Sequence, residues 1–405
     1  MRSTIEQALH ALRLGRPVLV LDDEDRENEG DAIVAAQTVT QEWVGWSVRH
    51  GSGLICAPMT DAYADRLALP HMVERNEDSL RTAYTVTVDA AQGVTTGISA
   101  ADRLRTLSVL ADPESGPSDV IRPGHVLPLR ARDGGVLERP GHTEAAVDLC
   151  RLAGLAPVGG IVELVHDDGS MLRAPDVHAL GDEHDLPVIT IEQLIAWRQR
   201  HDRVERVTRT VLPTEHGRFD LIAYVDRLTG SEVLALVSPE GLGKGPVLTR
   251  VHSECLTGDA LGSLRCDCGP QLQAAMAQVA REGGVVVYVR GHEGRGVGLV
   301  DKLRAYALQD SGRDTVDAQL DLGLPVDARE FHTATAVLTD LDVDDVRLLT
   351  NNPAKVESVT AAGIRVSDVV PLVVGTGAHN ARYLQTKRDR LGHTITSDTT
   401  RGAAS

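Results

Sequence analysis

The 405-residue chain has few aromatic residues, few cysteines and no long hydrophobic run. Phenylalanine, tryptophan and tyrosine make up only 3% of the sequence, so a surface that stacks nucleic-acid bases is not expected. No apolar stretch reaches the roughly 18 residues of a membrane-spanning helix. Residues Met1–Gly15 have the spacing of an amphipathic helix and lack the apolar core of a secretion signal. The sequence therefore predicts a cytoplasmic protein without a membrane or nucleic-acid partner.

Acidic residues outnumber basic ones and give a formal net charge of −17 at pH 7. A surface of this charge repels nucleic acid as a whole. Small anionic substrates are compatible with it, because a few arginines, lysines and helix N-termini are enough to hold a phosphate. The five cysteines are an odd number and argue against a disulfide framework in a chain of this length.

Two patterns of secondary structure meet near residues 200–210. Before this point, short β-branched runs such as Pro17–Leu21 alternate with helical patterns. The last helical pattern starts at Ile191 and ends in a charged run near Arg206, after which strand-rich patterns begin. The sequence predicts an α/β (α+β) protein of two domains, each a mixed sheet flanked by helices, with the ranges 1–205 and 206–405. The polar tail Thr394–Ser405 predicts disorder.

An acidic segment, Asp22–Asp31, follows the first strand directly and reads DDEDRENEGD. Acidic runs are most often solvated loops. Here Arg26 and Asn28 add hydrogen-bond donors, and Gly30 permits a tight turn that could aim carboxylates inward. Hard oxygen ligands of this kind suit Mg²⁺ or Mn²⁺. The segment alone leaves a metal site and a solvated loop both open.

Two Arg-Pro-Gly-His loops occur later in the same half, at Arg122–His125 and Arg139–His142. The second opens a helix, whose N-terminus could hold a sugar phosphate together with Arg139. His142 could complete a metal shell begun by Glu27, and Glu163 is a candidate acid or base at a strand end. A lone loop histidine is usually a surface residue, but two such loops indicate a built site.

The first 200 residues closely resemble 3,4-dihydroxy-2-butanone-4-phosphate synthase, in DDEDRENEGD, HGSGLIC, GVTTGISAADR, RPGHVLPLR and RPGHTEAAVDL. The resemblance implies that ribulose 5-phosphate is converted to the butanone phosphate and formate. It implies that Glu27 and His142 bind Mg²⁺ or Mn²⁺, and that His125 and Glu163 are catalytic acid-base or positioning groups. For Cys56, a role in the site and a buried apolar thiol remain equally open. The residues implied to bind ribulose 5-phosphate are Arg26, Glu27, Asp31, Arg139, Pro140, Gly141, His142, Thr143 and Glu163.

Three cysteines in the second half, Cys255, Cys266 and Cys268, form the pattern C-x₁₀-C-x-C. Three thiolates without a fourth ligand nearby are typical of a catalytic zinc, where water takes the open position. A structural zinc with a distant histidine as its fourth ligand remains an alternative. Arg265 and Asp267 interleave with the cysteines and disfavour three buried, unligated thiols.

From about Val211 to His393 the chain resembles GTP cyclohydrolase II, in RVHSECLTGD, LRCDCG, EGRGVGL, LRAYALQDSGRDTVDA, LGLPVDAREF and LLTNNPAK. The resemblance implies zinc-dependent hydrolysis of GTP to 2,5-diamino-6-(5-phosphoribosylamino)pyrimidin-4(3H)-one, formate and pyrophosphate. It implies that Asp327 and Arg329 act at the α-phosphate and Tyr306 near the ring-opening step. Without it, Arg329 would be read as a surface residue and Tyr306 as a core residue. The residues implied to bind GTP are Arg250, Val251, His252, Ser253, Glu254, Gln271, Glu293, Gly294, Arg295, Thr315, Thr350 and Lys355.

One loop departs from the family pattern. The family form is RQEGR, whereas Arg290–Arg295 of this chain reads RGHEGR and so has one extra residue at Gly291-His292. The extra residue and the glycine alter the loop that carries Glu293 and Arg295, so the departure leaves their position toward GTP open.

Together the two resemblances predict a bifunctional enzyme of riboflavin biosynthesis, and the families imply a homodimer. One alternative is a fusion in which only one half is active and the other serves as a dimerisation or regulatory module. Another is a non-catalytic GTP-binding sensor, which predicts loss of the zinc cysteines or of Asp327 and Arg329, but all are present. The sequence contains no GxxxxGK[ST] loop, so ordinary GTPase chemistry is not indicated.

Overall fold

The computed structural model describes residues 3–395 and divides by internal contacts into two units, Met1–Arg198 and Gln199–Ser405. The division lies slightly before the predicted boundary at residue 205, and the predicted domain ranges stay a prediction. Most of the tail predicted to be disordered lies outside the described residues. Among the described residues, no helix is long and apolar enough to cross a membrane.

The first unit contains one mixed sheet with helices packed against it. Its strands are β1 Val18–Leu21, β2 Gly30–Ala35, β3 Cys56–Met59, β4 Val88–Ala90, β5 Val120–Arg130, β6 Gly159–Glu163 and β7 Val188–Thr190. Its helices are α1 Ile5–Arg13, α2 Gln41–His50, α3 Asp61–Arg66, α4 Ala100–Ala111, α5 His142–Leu152, α6 Ala174–His184 and α7 Ile191–His201. The strand order is β4-β5-β3-β6-β2-β1-β7, with β1 antiparallel to β2 and parallel to β7.

Every side chain of β1 and β2 is buried, because apolar clusters cover both faces of the sheet at these strands. One cluster includes α1, which begins at Thr4 with a reciprocal capping box to Gln7. This helix buries Ile5, Leu9 and Leu12, the face predicted from the sequence. The acidic loop between β1 and β2 therefore starts and ends on two rigid central strands.

The second unit repeats this class of architecture with a different topology. Its strands are β8 Val204–Thr214, β9 Gly217–Asp226, β10 Glu232–Val237, β11 Val247–Ser253, β12 Val285–Val289, β13 Asp345–Leu349 and β14 Arg365–Val370. Its helices are α8 Leu256–Asp259, α9 Cys268–Glu282, α10 Leu299–Asp310, α11 Thr315–Asp321, α12 His332–Asp340, α13 Pro353–Ala361 and α14 Ala381–Leu391. The order β14-β13-β11-β12-β10-β9-β8 again mixes parallel and antiparallel pairs. The predicted fold class, two mixed sheets flanked by helices, is confirmed.

The prediction that the helix starting at Ile191 continues to Arg206 was wrong. The helix ends at His201, and β8 begins at Val204 and pairs along its whole length with β9. The charged side chains of β8 lie on an exposed edge strand, where alternating polar residues are tolerated without an apolar face. The sequence pattern does not indicate β8, because this strand is stabilised by pairing with β9 and has no apolar face of its own.

Candidate active sites

Asp22 organises the acidic loop between β1 and β2. Its Oδ1 accepts a hydrogen bond from the Glu29 amide at 2.8 Å, and its Oδ2 accepts one from the Glu27 amide at 3.1 Å. Oδ2 also accepts a hydrogen bond from Arg26 Nη1 at 3.0 Å. The side chains of Asp22 and Asp31 are only 1% and 3% exposed, so these two carboxylates face inward, whereas residues 23–25 of the same loop are exposed.

Asp22, Glu27 and His142 form a group whose ligand atoms lie within 4.8 Å of one another. His142 Nδ1 is 3.7 Å from Glu27 Oε2 and 3.6 Å from Asp31 Oδ1, while Nε2 is 3.0 Å from the Val20 carbonyl oxygen. A proton on Nε2 would bond this carbonyl and leave Nδ1 as a ligand. Burial lowers the pKa of His142, but Asp31, Glu27 and Asp22 together raise it to about 9.

Asp31, which lies beside this group, is also buried, and its Oδ1 has no hydrogen-bond partner. Burial, together with Glu163 and Glu27, raises the pKa of Asp31 to about 7, even though His142 acts in the opposite direction. An unpartnered buried oxygen beside a carboxylate and an imidazole is the environment that a divalent cation would neutralise. The residues present therefore fit a hard metal ion.

Sheet register places Glu163 beside this group, because Glu163 on β6 is directly opposite Asp31 on β2. Ser52 Oγ donates a hydrogen bond to Glu163 Oε2 at 2.7 Å. On β5, His125 Nδ1 lies 2.7 Å from Asp89 Oδ2, and the His125 amide donates to Asp89 Oδ1 at 2.9 Å. Asp89 therefore fixes the imidazole in one orientation.

His125 and Glu163 lie toward the same end of the sheet. Cys56 on β3 pairs with both Leu127 of parallel β5 and Ile161 of antiparallel β6. His125 precedes Leu127 by two residues on the parallel strand, and Glu163 follows Ile161 by two residues on the antiparallel strand. Because β6 runs opposite to β3 and β5, both residues lie on the same side of Cys56, toward the start of β3. Cys56 itself is buried, and burial raises the pKa of its thiol, which fits the buried-thiol interpretation.

The loop before α5 brings two guanidinium groups together. A Cβ on Gly141 would lie 2.9 Å from Arg139 Nη1 and 3.1 Å from Arg26 Nη2. Arg139 Nη1 donates to the buried Glu144 at 2.7 Å, which orients its side chain. Thr143 is buried in the first turn of α5, and Pro140 is exposed. Two arginines beside a helix N-terminus form an arrangement that can bind a phosphate.

In the second unit, the sulfur atoms of Cys255, Cys266 and Cys268 lie within 4.8 Å of one another. Cys255 Sγ and Cys266 Sγ are 3.7 Å apart, close to the roughly 3.8 Å that 2.3 Å zinc–sulfur bonds and tetrahedral angles require. A Cβ on Gly258 would lie 2.8 Å from Cys266 Sγ and 3.1 Å from Cys255 Sγ, so glycine keeps space beside the sulfurs. Within residues 3–395, no histidine or carboxylate joins this group.

The three cysteine thiols differ in the direction in which their pKa is shifted. Hydrogen bonds from Cys266 and Cys268, with the charge of Lys302, lower the pKa of Cys255. The hydrogen bond with Cys255 raises the pKa of Cys266 to about 11, and hydrogen bonds with Cys255 and Cys266 raise the pKa of Cys268. Binding of a metal ion would release the remaining thiol protons, because cysteine binds metals as the thiolate.

Lys302 connects the cysteines to two predicted site residues. Its Nζ donates hydrogen bonds to Cys255 Sγ at 3.2 Å, Thr257 Oγ1 at 2.9 Å and Glu293 Oε1 at 2.5 Å. The Tyr306 hydroxyl is 3.5 Å from Thr257 Oγ1, so Tyr306 faces this network and not the apolar core. Lys302 was not predicted as a site residue, although it precedes Tyr306 by four residues on one helix face.

One cavity of about 1210 Å³, its open mouth included, adjoins the thiols. The predicted site residues that line it are Arg250, His252, Ser253, Glu254, Cys255, Cys266, Cys268, Gln271, Glu293, Gly294, Arg295, Tyr306, Thr315, Arg329, Thr350 and Lys355.

Val251 does not line this cavity, because its side chain packs in the core beneath β11. Its carbonyl oxygen accepts a hydrogen bond from Lys355 Nζ at 2.8 Å, so it acts through the backbone. His252 directs Nε2 toward Asp259, with its nearer oxygen 3.1 Å away. Asp259 Oδ2 also accepts a hydrogen bond from the Cys255 amide at 3.0 Å and thereby supports the loop that carries the cysteines.

Two buried cations of the cavity lack a carboxylate partner. Arg250 donates to the Leu349 carbonyl at 2.8 Å and to Gln271 Oε1 at 2.7 Å, and burial lowers its pKa to about 10. Burial and the charges of Arg250 and Arg329 lower the pKa of Lys355 well below its usual value. Both groups would be stabilised by an anion.

Arg329 and Asp327 form a close pair beside the cavity. Arg329 Nη2 donates to Asp327 Oδ2 at 2.5 Å, and Arg329 Nη1 lies 3.4 Å from Ser253 Oγ. The Arg329 side chain is 14% exposed, so the surface interpretation is wrong. The extra residue of the neighbouring loop places His292 in the same cavity, with Nδ1 3.1 Å from Ser253 Oγ.

Each unit matches one enzyme family. Residues 6–197 match the family model of 3,4-dihydroxy-2-butanone 4-phosphate synthase, and residues 205–371 match that of GTP cyclohydrolase II. The chain is 59% identical over 398 residues to a riboflavin biosynthesis protein RibBA of Salinispora arenicola, covering 98% of this chain and 94% of the relative. It is 55% identical over 397 residues to a protein of the same name in Nocardia farcinica, covering 97% and 96%.

A solved structure also matches both units. It is RibBX, a two-domain 3,4-dihydroxy-2-butanone 4-phosphate synthase from A. baumannii, with 31% sequence identity and a TM-score of 0.56. The match covers 92% of this chain and all of the other. The sequence identity extends over both units of these relatives. This identity and the two family matches agree with the site residues that each unit brings together. The chain therefore belongs to the RibBA family of bifunctional riboflavin biosynthesis enzymes, in which a 3,4-dihydroxy-2-butanone 4-phosphate synthase is fused to a GTP cyclohydrolase II.

Proposed function

We propose that the two reactions take place at the two sites described above, with ribulose 5-phosphate bound in the first unit and GTP in the second. The observation that carries this assignment is the difference between their ligand groups. The first unit offers carboxylates and an imidazole, whereas the second offers three thiols beside a large cationic cavity. Hard and soft ligands of this kind select different metals and support different chemistry.

In the first unit, Arg26 and Arg139 would bind the phosphate of ribulose 5-phosphate at the start of α5. Glu163 and His125 would exchange protons with the sugar, as enolisation of a ketose requires. Ser52 donates to one Glu163 oxygen and leaves the other for proton transfer. Mg²⁺ or Mn²⁺, held by Glu27 and His142, would supply positive charge where negative charge develops on adjacent sugar oxygens.

In the second unit, Arg250, Arg295 and Lys355 would bind the polyphosphate of GTP. Asp327 would orient Arg329 toward the α-phosphate, because their close pair fixes the guanidinium plane. Tyr306 would contact the ring as it opens. Zinc, held by the three cysteines, would lower the pKa of water and make it nucleophilic toward C8 of the purine.

A homodimer is part of the same proposal. Strand β8 is at the edge of its sheet, and Val207 and Val211 on it are 58% and 50% exposed. A second copy of the chain would cover these side chains. Sedimentation equilibrium should give twice the chain mass, and Val207→Glu with Val211→Glu should lower it if β8 forms the contact.

The activities are tested by incubating the purified chain with Mg²⁺ and Zn²⁺ and either substrate, followed by NMR of ¹³C-formate. GTP labelled at C8 and uniformly labelled ribulose 5-phosphate should each yield formate. Glu27→Gln should remove only the signal from ribulose 5-phosphate, and Cys266→Ser only that from GTP. Each variant is thus the control for the other. Formate from one substrate alone would instead support the alternative in which a single half is active.

A further inference from the structure

A C-terminal segment, residues 380–395, forms one wall of the cavity in the second unit. It contains α14 and follows the range 205–371 that matches the GTP cyclohydrolase II family model. Tyr383, Lys387, His393 and Ile395 of this segment line the cavity together with residues of the family motifs. The wall is therefore built partly from residues that the family match does not include.

The segment is attached at three separate places. Asn380 Nδ2 donates to the Cys266 carbonyl at 3.3 Å, beside the thiols. Arg390 Nη1 donates to Asp314 at 2.6 Å and to Asp317 at 2.8 Å, which anchors α14 to α11. The Thr394 amide donates to the Asn351 carbonyl at 2.9 Å. These contacts hold the segment against the cysteine loop, α11 and the loop that precedes α13.

Lys387 is the buried cation of this wall, with a side chain that is only 12% exposed. Its Nζ donates to Asp267 Oδ1 at 2.7 Å and lies 4.6 Å from the centre of the Tyr383 ring. Asp267 Oδ2 accepts from Gln271 Nε2 at 2.7 Å, and Gln271 Oε1 accepts from Arg250 at 2.7 Å. Lys387 therefore belongs to one hydrogen-bonded chain with Arg250 in the same cavity.

His393 marks the place where the cations of the cavity converge. Burial, and then the positive charges of four neighbouring side chains, lower the pKa of His393 to about 3. These four cations are Lys387, Lys355, Arg329 and Arg295. Its backbone amide donates to the Lys387 carbonyl at 3.1 Å, so the two residues are held together. A neutral imidazole surrounded by cations can donate an N–H to an anion without adding further charge repulsion.

We infer that Lys387 and His393 are phosphate-binding residues, through which the C-terminal segment contacts the β- and γ-phosphates of the nucleotide. The inference rests on the proposed function, in which this cavity binds GTP. Lys387 would share its charge between Asp267 and a phosphate oxygen, and His393 would donate one hydrogen bond. The segment thereby distinguishes a nucleoside triphosphate from a monophosphate.

The test measures nucleotide binding to the full-length, zinc-loaded protein by isothermal titration calorimetry. The ligands are GMP and the α,β-methylene analogue of GTP, whose carbon bridge blocks loss of pyrophosphate. Lys387→Gln should weaken binding of the analogue about tenfold, the size expected for one charge-assisted hydrogen bond. Its effect on GMP should stay below about threefold. His393→Ala should show the same selectivity with a smaller loss.

Arg388→Gln is the matched control, because Arg388 lies on the same helix, is exposed and pairs only with the adjacent Asp389. It should bind both ligands as the wild type does. An equal loss of GMP and analogue affinity in Lys387→Gln would overturn the inference, because it would mean that the lysine only docks α14. Wild-type affinity in both Lys387→Gln and His393→Ala would overturn it too. Failure of the wild-type protein to bind either nucleotide would instead contradict the proposed function.

Discussion

The extra residue of the RGHEGR loop gives the second unit a titratable group whose effect on stability can be calculated. His292 packs edge-on against the Phe331 ring, with the ring centres 5.5 Å apart, and lies near Arg329 and Lys355. Burial, and then the charges of Arg329 and Lys355, lower its pKa from 6.5 to about 4. The imidazole is therefore neutral in the folded protein at pH values where it is charged in the unfolded chain.

Because the pKa of His292 is lower in the folded protein than in the unfolded chain, its contribution to the free energy of unfolding is fully present above pH 6.5 and is lost as the pH falls toward 4. These two pKa values predict that His292 lowers the free energy of unfolding by about 2 kcal/mol when the pH falls from 7.5 to 5. A glutamine at this position can bond Ser253 but does not titrate. We therefore expect the free energy of unfolding of His292→Gln to fall by about 2 kcal/mol less than that of the wild type over this pH range.

Scanning calorimetry of the full chain at the two pH values measures this difference. For a unit of this size, 2 kcal/mol corresponds to a midpoint shift of about 4–8 °C. His379→Gln, at an exposed position of the same unit, should behave as the wild type does. Equal pH dependence of His292→Gln and the wild type would refute the reasoning, because the cations would then not act on His292.

Four further predictions concern the metals and the reaction steps. Elemental analysis should find about one zinc ion per wild-type chain and should find it lost in Cys266→Ser; unchanged zinc content in the variant would exclude the thiol site. Glu27→Gln should abolish formate release from ribulose 5-phosphate and leave GTP turnover within about twofold, since the groups lie in different units; parallel loss in a folded variant would indicate coupling. Cys255→Ser should block formate release from GTP while still permitting pyrophosphate release and GMP formation. Arg329→Ala should stop pyrophosphate release, and also formate release if the phosphate step comes first; rapid pyrophosphate release by this variant would reduce Arg329 to a phosphate-binding residue.

Much of the fold could be predicted because local patterns and burial agree in the central strands. The run that forms β1 is apolar throughout, and the helix opened by His142 starts directly after a Pro-Gly turn. The edge strand β8 could not be predicted, because its exposed, charged residues carry no apolar alternation and its pairing depends on β9. Predictions from one segment succeed where that segment packs on the core and fail where a distant partner determines the structure.

The same distinction applies to the residues of the candidate sites, some of which could be predicted from the sequence and some not. Residues inside long family motifs, such as Cys255 and Glu27, could be named from the sequence. Asp89 and Lys302 could not, because their importance appears only when they contact His125 and the cysteine loop across the fold. Lys302 left a partial signal in its helical spacing from Tyr306, whereas nothing near Asp89 in the sequence indicates a histidine partner.

In the proposed function, two sites bind anionic substrates within a chain of net charge −17, and the source of positive charge differs between them. In the first unit, Arg26 and Arg139 are already paired with carboxylates, so their charge toward a sugar phosphate is largely neutralised. In the second unit, the hydrogen bonds of Arg250 and Lys355 within residues 3–395 go to neutral acceptors, so no paired carboxylate offsets their charge toward a ligand. In the proposed function, a divalent ion would therefore be the main source of positive charge in the first site, whereas buried side chains would supply it in the second. Affinity for ribulose 5-phosphate should consequently follow Mg²⁺ or Mn²⁺ occupancy, while affinity for the polyphosphate of GTP is determined by the protein itself.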